Sequence, residues 1–284
     1  MTTSVLPMAL LMSMQREVTA RWNQDEIIKF MDEHPNRAYF SRLFRDGEFQ
    51  DGMEVGVAKA RFSEHLLVDS NDTIRSWFMV EPYPHEEFVK RFPSAKKGSS
   101  PNFAVAGGAW HSSGIGRKTR LVHLPFISTD TRVFENVVVG SLDFVYIDSS
   151  HMYEATTKEL PAYWRLLRPG GVLAGHDYCD HGEAKAMMSP DHRKDCHGCF
   201  PVPRCGKYTD YGIWAGKKRQ GIGKSQQGVV RAVQEWVVKQ DAHLTLHYTK
   251  EDFSPSTLKA DGMSFEQVIT HTRNPSWFVI KPIT

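Results

Sequence analysis

The chain has 284 residues, which is long enough for one large α/β domain with an insertion and too long for a disulfide-stapled miniprotein. Hydrophobic residues make up 40% of it and charged residues 24%, a composition that excludes a disordered or fibrous chain and predicts a folded core. Lys and Arg number 35 and Asp and Glu 33, so the net charge of +2 gives no overall attraction to nucleic acid or to an anionic membrane.

The first apolar run, residues 5–12, contains Pro7, and no Lys or Arg precedes it. It is too short to span a bilayer, and it lacks the basic start of a signal peptide. All four cysteines fall between positions 179 and 205, which is too few and too local for a secreted disulfide framework. These features favour a reducing, cytoplasmic compartment, with the lumen of the secretory pathway as the alternative.

Residues 1–48 are expected to form a helical extension at the N-terminus. Within 13–46 apolar residues recur at helical spacing, and Pro35 separates two helices. An α/β domain is expected over 49–284. An irregular insertion at 179–225, which contains the cysteines and many glycines and prolines, interrupts it.

Strand and helix patterns alternate from residue 52 onward. Strands are predicted at 53–57, 77–80, 120–124 and 142–147, and helices at 62–68, 85–92 and 154–167. Residues 144–147 form the continuous apolar run of a strand buried on both faces, which indicates a parallel sheet between layers of helices. Gly170 and Gly171 are expected to end the last of these helices, so that the next strand begins at Val172.

A helix is predicted at 227–239, after the insertion, and two strands at 244–248 and 277–280. Because no crossover helix separates the two strands, they are expected to form an antiparallel pair at the edge of the sheet.

The ends of the first two strands carry residues suited to a nucleoside-containing ligand. Gly56 follows the first strand, and a glycine in such a turn lets the backbone approach a ligand closely. A dinucleotide fingerprint would need two further glycines, where this chain has Ala58 and Ala60. Glu81 ends the second strand, where a carboxylate is able to accept both ribose hydroxyl protons.

Polar side chains also follow two later strands. Asp148 comes directly after the strand at 142–147, and Asp177 follows the next strand along the chain. Adjacent parallel strands lie about 4.8 Å apart, so both carboxylates are expected to converge and to suit a divalent cation. His151 lies three residues after Asp148, where an imidazole would serve as a general base. The alternative is that the two acids only cap the helix and turn that follow them.

The sequence resembles class I S-adenosylmethionine-dependent methyltransferases, in particular the methyltransferase-24 group. The resemblance covers about 50–180 and, more loosely, 226–281. Its motifs are Glu54-x-Gly56, Glu81, Asp148-x-x-His151-x-Tyr153-Glu154, and the run Leu167-x-Pro169-Gly170-Gly171-Val172-Leu173-x-Gly175-His176-Asp177-Tyr178. It implies a Rossmann-like sheet of seven strands, mostly parallel with an antiparallel last strand.

The resemblance also implies roles for individual residues. Glu54, Gly56 and Ala58 would lie against the methionine part of the cofactor, Glu81 would hold its ribose, and Ser128 would lie near its adenine, with Asp148 also beside the cofactor. In the metal-dependent branch, which methylates catechols and macrolide sugars, an acid and a base occupy the places of Asp148 and His151. Asp177, and His176 where that branch has an acid, would complete a site for Mg²⁺ or Mn²⁺.

The insertion adds a second candidate metal site. Cys196-x-x-Cys199 and Cys205 have the ligand types of a structural zinc site, with Cys179, His181, His192 and His197 nearby. A disulfide pair and unliganded cysteines are the alternatives. Residues 201–224 also combine basic and aromatic side chains, which suggests a lid over the active site that stacks on a sugar or a base.

The sequence thus predicts a methyltransferase that transfers a methyl group to a hydroxyl of a small molecule or glycan. A nucleic-acid partner and a membrane are not expected. Two other classes of protein are alternatives. An RNA- or zinc-binding module on the same fold would not need Asp148, His151 and Asp177. A nicotinamide-dependent oxidoreductase would bind its cofactor at the same corner, formed by Gly56 and Glu81. The three candidate groups argue against the first, and the missing glycines against the second.

Overall fold

A computed structural model describes residues 22–34, 36–58, 60–70, 73–83, 109–111, 119–178, 229–240, 244–249 and 275–283. The helix predicted at 85–92, Pro35, and the insertion at 179–225 with its cysteines lie outside these residues. Within them, no helix has the length and apolar character that crossing a membrane requires.

The described helices are α1 (Gln24–Glu33), α2 (Phe40–Arg45), α3 (Arg61–Asp69), α4 (Thr131–Glu135), α5 (Tyr153–Trp164) and α6 (Val229–Lys239), with a 3₁₀-helix at Arg37–Tyr39. The described strands are β1 (Asp51–Val55), β2 (Ser76–Val80), β3 (Ala109–His111), β4 (Arg120–Leu124), β5 (Leu142–Ile147), β6 (Leu167–Gly175), β7 (His247–Tyr248) and β8 (Trp277–Ile280).

The strands form one sheet in the order β3-β4-β2-β1-β5-β6-β8-β7. The five strands from β4 to β6 are parallel, whereas β8 is antiparallel to both of its neighbours. The predicted seven-stranded, mostly parallel sheet with an antiparallel last strand is therefore confirmed. The short β3, which pairs antiparallel with β4, is an eighth strand that the sequence did not predict.

Two apolar clusters cover the two faces of this sheet. One lies between the sheet and the helices α5 and α6, and the other between the sheet and the N-terminal helices together with α3. Phe40 of α2 is fully buried, and its ring lies 5.4 Å from that of Phe144 and 6.0 Å from that of Tyr146. All six residues of β5 are buried, Asp143 among them, and for residues 144–147 their continuous apolar run predicts this.

The run Pro169-Gly170-Gly171 lies inside a strand, so the prediction that its glycines end a helix is wrong. Helix α5 ends at Trp164, and β6 already begins at Leu167. Gly170 adopts φ +74°, its N–H donates to Lys281 O at 2.8 Å, and Lys281 N–H donates to Gly171 O at 2.8 Å. The pairing of β5 with β6 shifts register at this place. The glycines therefore make an irregularity in a strand rather than a helix end.

Candidate functional site

The candidate site lies where β1, β2, β5 and β6 end side by side. Backbone hydrogen bonds continue beyond the strands there: Gly56 N–H donates to Val80 O at 2.9 Å, Asp148 N–H to Val55 O at 2.7 Å, and His176 N–H to Ile147 O at 2.9 Å. The sheet ladder thus fixes the first residue after each strand. Ligands in open α/β sheets bind at this edge.

Gly56 has two reasons to be glycine. It adopts φ +85°, and a Cβ there would lie 2.6 Å from Cα of Ser149 in the loop after β5. Ala58 and Ala60, which follow it, also adopt positive φ. This conformation turns successive backbone N–H groups of the loop in one direction.

The carboxylate of Glu81 accepts those N–H groups. Its Oε2 accepts hydrogen bonds from Val57 N–H at 3.0 Å and from Ala58 N–H at 2.7 Å. Its backbone oxygen lies 2.9 Å from His123 Nε2. Glu81 and the first loop are thereby joined into one corner at the ends of β1 and β2, as the sequence pattern predicts for a nucleoside site.

The side chain of Glu54 lies deeper in the protein than we expect for a residue that contacts a ligand. Its side chain is buried, and its carboxyl accepts a hydrogen bond from the hydroxyl of Ser63 on α3. That hydroxyl accepts in turn from Trp77 Nε1 at 2.7 Å. Burial raises the pKa of Glu54 well above its ordinary value, although the Ser63 hydrogen bond lowers it in part. Sequence reasoning missed Ser63, because a serine in an amphipathic helix carries no signal of this contact.

Ser128 lies in the turn between β4 and α4, on the side of the site where adenine is expected. Its backbone oxygen accepts a hydrogen bond from the Tyr163 hydroxyl at 2.7 Å. Burial raises the pKa of Tyr163 well above its ordinary value, with the nearby Glu159 adding to the effect. On the same side, the hydroxyl of Ser149 donates to Glu159 at 2.6 Å. These contacts attach α5 to the loops after β4 and β5.

The structure brings Asp148, His151 and Asp177 together. One ligand atom of each residue lies within 4.8 Å of the others. His151 Nε2 is 3.6 Å from Asp148 Oδ1, and its Nδ1 is 3.4 Å from Asp177 Oδ2. The carboxylate side chains are only 7% and 2% exposed, whereas that of His151 is 24% exposed. The acids therefore form the floor of the site and the imidazole its accessible side.

Backbone strain is concentrated at this edge of the sheet. Among the residues that the structure describes, five non-glycine residues have positive φ, and four of them lie here: Ala58, Ala60, His151 and Asp177. Such conformations cost about 1–3 kcal/mol each and persist where the surrounding structure imposes them. His151 and Asp177, which have this strained backbone, are two of the three residues whose ligand atoms converge.

A cation fits the donor atoms that meet at this point. Two buried carboxylates this close repel each other unless a proton or a cation lies between them. Carboxylate oxygens suit Mg²⁺ and Mn²⁺, and one imidazole nitrogen is tolerated better by Mn²⁺. His176, predicted as a further ligand, lies beside the pair but is not part of the group of three whose ligand atoms converge.

His176 is completely buried behind the acids. Its Nδ1 lies 3.4 Å from Asp148 Oδ1 and 3.2 Å from Asp177 Oδ1, and its Nε2 lies 2.8 Å from the guanidinium nitrogen Nη1 of Arg37. Arg37 belongs to the 3₁₀-helix of the N-terminal extension and is 1% exposed. Sequence reasoning missed Arg37, because nothing in its local sequence links it to residues 139 positions away.

A small cavity opens beside His151 and His176. Its other lining residues combine apolar and hydroxyl side chains: Ile147, Ser149, Thr156, Val229 and Trp277. Trp277 is 1% exposed, and within the described part of the chain its indole Nε1 has no hydrogen-bond partner. The cavity thus places apolar walls and a few polar groups directly next to the acid pair.

The mostly parallel sheet, with a glycine turn after β1 and an acid after β2, is a Rossmann-like α/β fold. Residues 52–178 match the model of a protein family described as "Methyltransferase domain". The resemblance that the sequence motifs suggested is confirmed over these residues.

Solved structures that resemble the chain include an O-methyltransferase from Bacillus cereus in complex with SAH, with 11% identity, a TM-score of 0.47 and coverage of 90% of this chain and 89% of that one. Another is the O-methyltransferase TomG from Streptomyces achromogenes, involved in tomaymycin synthesis and in complex with SAM, with 12% identity, a TM-score of 0.45 and coverage of 87% and 78%. No curated protein matches the chain.

Proposed function

We propose that the protein is an S-adenosylmethionine-dependent O-methyltransferase that acts on a hydroxyl of a small molecule or glycan, with a divalent cation at Asp148 and Asp177 and with His151 as the base. The observation that carries this proposal is the convergence of Asp148, His151 and Asp177 beside the Gly56 and Glu81 corner. The match of residues 52–178 to a methyltransferase domain supports it.

The cofactor would lie across the ends of β1, β2 and β5. Gly56 lets the loop after β1 pack directly on the backbone after β5, where a Cβ would lie 2.6 Å from Cα of Ser149, and so holds the two loops together at the edge where the cofactor would bind. Among the described residues, Glu81 bonds to the loop through Oε2, and Oε1 would accept from a ribose hydroxyl. A nicotinamide cofactor remains the second candidate for this corner, and the family match favours the sulfonium cofactor.

Asp148 and Asp177 would hold the cation through carboxylate oxygens. A bound divalent cation lowers the pKa of a hydroxyl and orients it. The protein's own part is to keep the two acids in place through the buried backbone ladder and to exclude water from beneath them. Holding the acceptor and the cofactor in line is the larger part of such catalysis.

His151 is placed to take the acceptor proton. It is the most exposed member of the group, and its nitrogens lie 3.6 Å from Asp148 Oδ1 and 3.4 Å from Asp177 Oδ2. A bound S-adenosylmethionine would supply the methyl group: its carbon–sulfur bond would break as the acceptor oxygen bonds to the methyl carbon, and the electron pair of that bond would neutralise the sulfonium. The acceptor proton passes to His151, and the products are a methyl ether and a neutral thioether.

We expect the acceptor on the accessible side of His151. There it would lie against the mouth of the small cavity that Ile147, Val229 and Trp277 line. Vicinal hydroxyls suit a site with a cation, since two oxygens are able to share one metal ion.

Calorimetric titration of S-adenosylmethionine and S-adenosylhomocysteine, with and without EDTA, tests the cofactor part of the proposal. We expect micromolar binding of both compounds, lost by tenfold or more in Glu81→Ala and retained in Glu135→Gln, which changes an exposed acid of α4. Binding of NADH in place of these compounds would favour the oxidoreductase. Binding of neither class of compound would overturn the proposal.

The role of His151 is tested by measuring two quantities on one variant. In His151→Gln we expect a rate of methyl transfer to a screened hydroxyl acceptor that is about 10²–10⁴-fold lower, with Mn²⁺ affinity changed less than threefold. A large fall in Mn²⁺ affinity would instead make His151 a metal ligand. Asp177→Asn serves as the comparison, because there the loss of Mn²⁺ binding is expected first.

A further inference from the structure

We propose that His123 is a positioning residue for the cofactor: the N–H of its ring holds the backbone of Glu81, so that the Glu81 carboxylate is oriented for a ribose before the cofactor binds. The role rests on the proposed function, in which Glu81 accepts from the ribose hydroxyls. His123 belongs to β4 and pairs with Met79 of β2, which precedes Glu81 by two residues. Its side chain is buried, so the imidazole acts from within the sheet.

The hydrogen-bond ladder between β1 and β2 stops next to Glu81. Its last bond there runs from Gly56 N–H to Val80 O, at 2.9 Å. The next donor in a parallel ladder would be the N–H of residue 82. That residue is proline, which has no N–H, so β1 gives the chain after Glu81 no further hold.

The ladder between β2 and β4 stops at the same place. Glu81 N–H donates to Leu124 O at 3.1 Å, and a parallel ladder would continue from Phe126 N–H to Glu81 O. Phe126 N–H donates instead to Leu124 O at 2.8 Å, which closes a tight turn around Pro125. Among the described strands, the carbonyl of Glu81 therefore has no ladder donor. A buried carbonyl without a donor would destabilise this end of β2.

His123 supplies the missing donor. Its Nε2 lies 2.9 Å from Glu81 O, and because a carbonyl oxygen only accepts, the ring nitrogen donates. The backbone of Glu81 is thus held from β4, while its carboxylate accepts from Val57 N–H and Ala58 N–H in the loop after β1. With both ends of the residue held, little ordering remains for the ligand to impose, which favours tight binding.

Amide hydrogen exchange tests the positioning in the protein without any ligand. In His123→Leu, which removes the donor, we expect the amides of Val57 and Ala58 to exchange about tenfold faster, because the carboxylate that accepts from them is no longer held. Asp148 N–H, which donates to Val55 O in the sheet ladder, should keep its rate. Unchanged exchange at Val57 and Ala58 in the folded variant would overturn the proposal.

Two further variants separate positioning from stability. His123→Gln has an amide N–H at a similar distance from the backbone, so it should restore slow exchange. Thr119→Val removes a buried hydrogen bond of the same kind, from Thr119 Oγ1 to Ile74 O at 2.7 Å, at the opposite end of β2 and β4. It should lower the midpoint of thermal unfolding without faster exchange beside the site. If His123→Leu does not fold, His123→Phe keeps a ring and also lacks the donor.

Calorimetric titration of S-adenosylhomocysteine measures the effect on the cofactor. We expect a Kd about tenfold higher in His123→Leu and changed less than threefold in His123→Gln and Thr119→Val. Because His123 acts through Glu81, His123→Leu should change the Kd less than threefold when Glu81→Ala is already present. An equal effect in both backgrounds, or no effect in either, would overturn the proposal. If the unmodified protein does not bind S-adenosylhomocysteine, the proposed function fails, and the exchange rates still decide whether His123 positions Glu81.

Discussion

At position 56 both the backbone conformation and the lack of space for a side chain require glycine. Its φ of +85° disfavours a side chain, and a Cβ would meet the backbone after β5 at 2.6 Å. We expect Gly56→Ala to lower the free energy of unfolding by about 2–5 kcal/mol, because it adds overpacking to conformational strain. Loss of S-adenosylmethionine binding should accompany it. Urea denaturation and calorimetry measure the two effects.

Gly140→Ala is the matched control. Gly140 has a similar φ of +72° but nothing within 4 Å of the position of a Cβ, so its replacement should cost only the conformational part, about 1–2 kcal/mol. If the two variants are destabilised equally, the close approach of the loops after β1 and β5 is not what requires glycine at position 56.

Glu54 gives the stability of the fold a dependence on pH. Because burial raises its pKa in the folded state, there is a range of pH, from about 4.5 upward, in which the folded protein keeps a proton that the unfolded chain releases. The free energy of unfolding therefore falls as the pH rises through this range. Glu54→Gln has no such proton to release. Its free energy of unfolding should therefore rise, relative to that of the unmodified protein, by up to about 1.4 kcal/mol per pH unit in this range.

Urea denaturation between pH 4 and pH 8 measures this difference. For Glu135→Gln, a change at an exposed position of α4, the free energy of unfolding should vary with pH as it does for the unmodified protein. Parallel curves for Glu54→Gln as well would mean that the Glu54 carboxyl is ionised in the folded protein.

Among the elements, α2 is joined to the sheet most directly through Phe40. Its ring is fully buried against the rings of Phe144, Tyr146 and Phe278. Phe40→Ala should therefore lower the free energy of unfolding by about 3–5 kcal/mol. Val68→Ala, at a position of α3 that is 60% exposed, should change it by no more than about 0.5 kcal/mol. A small effect of Phe40→Ala would mean that α2 is not part of the cooperative core.

The sequence was a good guide to elements that have a simple apolar pattern. The strands at 120–124 and 142–147 have the predicted bounds, and the second contains the continuous apolar run 144–147 that is typical of a strand buried on both faces. The strand predicted at 244–248 is reduced to His247–Tyr248, and β3 was missed. Edge strands this short are determined by their neighbours in the sheet and leave little trace in their own residues.

At the scale of the whole molecule, the N-terminal extension is expected to be indispensable for folding. Removal of residues 1–45 would uncover one face of the sheet, including Trp77, Phe144 and Tyr146. We expect the shortened protein to be insoluble or to bind a hydrophobic dye without cooperative unfolding. Removal of residues 1–21 leaves every described residue in place and should preserve a cooperative transition. A cooperative transition with an unchanged midpoint after the longer deletion would contradict this expectation.

The site shows which contacts can be predicted from sequence. Asp148 and Asp177 lie together because parallel strands end at one edge of the sheet. Their positions after two predicted strands were therefore enough to predict that they are close. The contact of Arg37 with His176 depends on how the extension packs on the sheet, and no periodicity or motif encodes it.

The pairing of β6 with β8 has a consequence for biosynthesis. Gly175 pairs with Trp277, and the whole stretch from 176 to 276 lies between them in the chain. Until β8 emerges from the ribosome, the apolar segment Val172-Leu173-Ala174 has an edge with no strand beside it. A chain whose synthesis stalls between residues 176 and 276 therefore exposes an unpaired strand edge. We expect chaperones and proteases to bind such unfinished molecules through this edge.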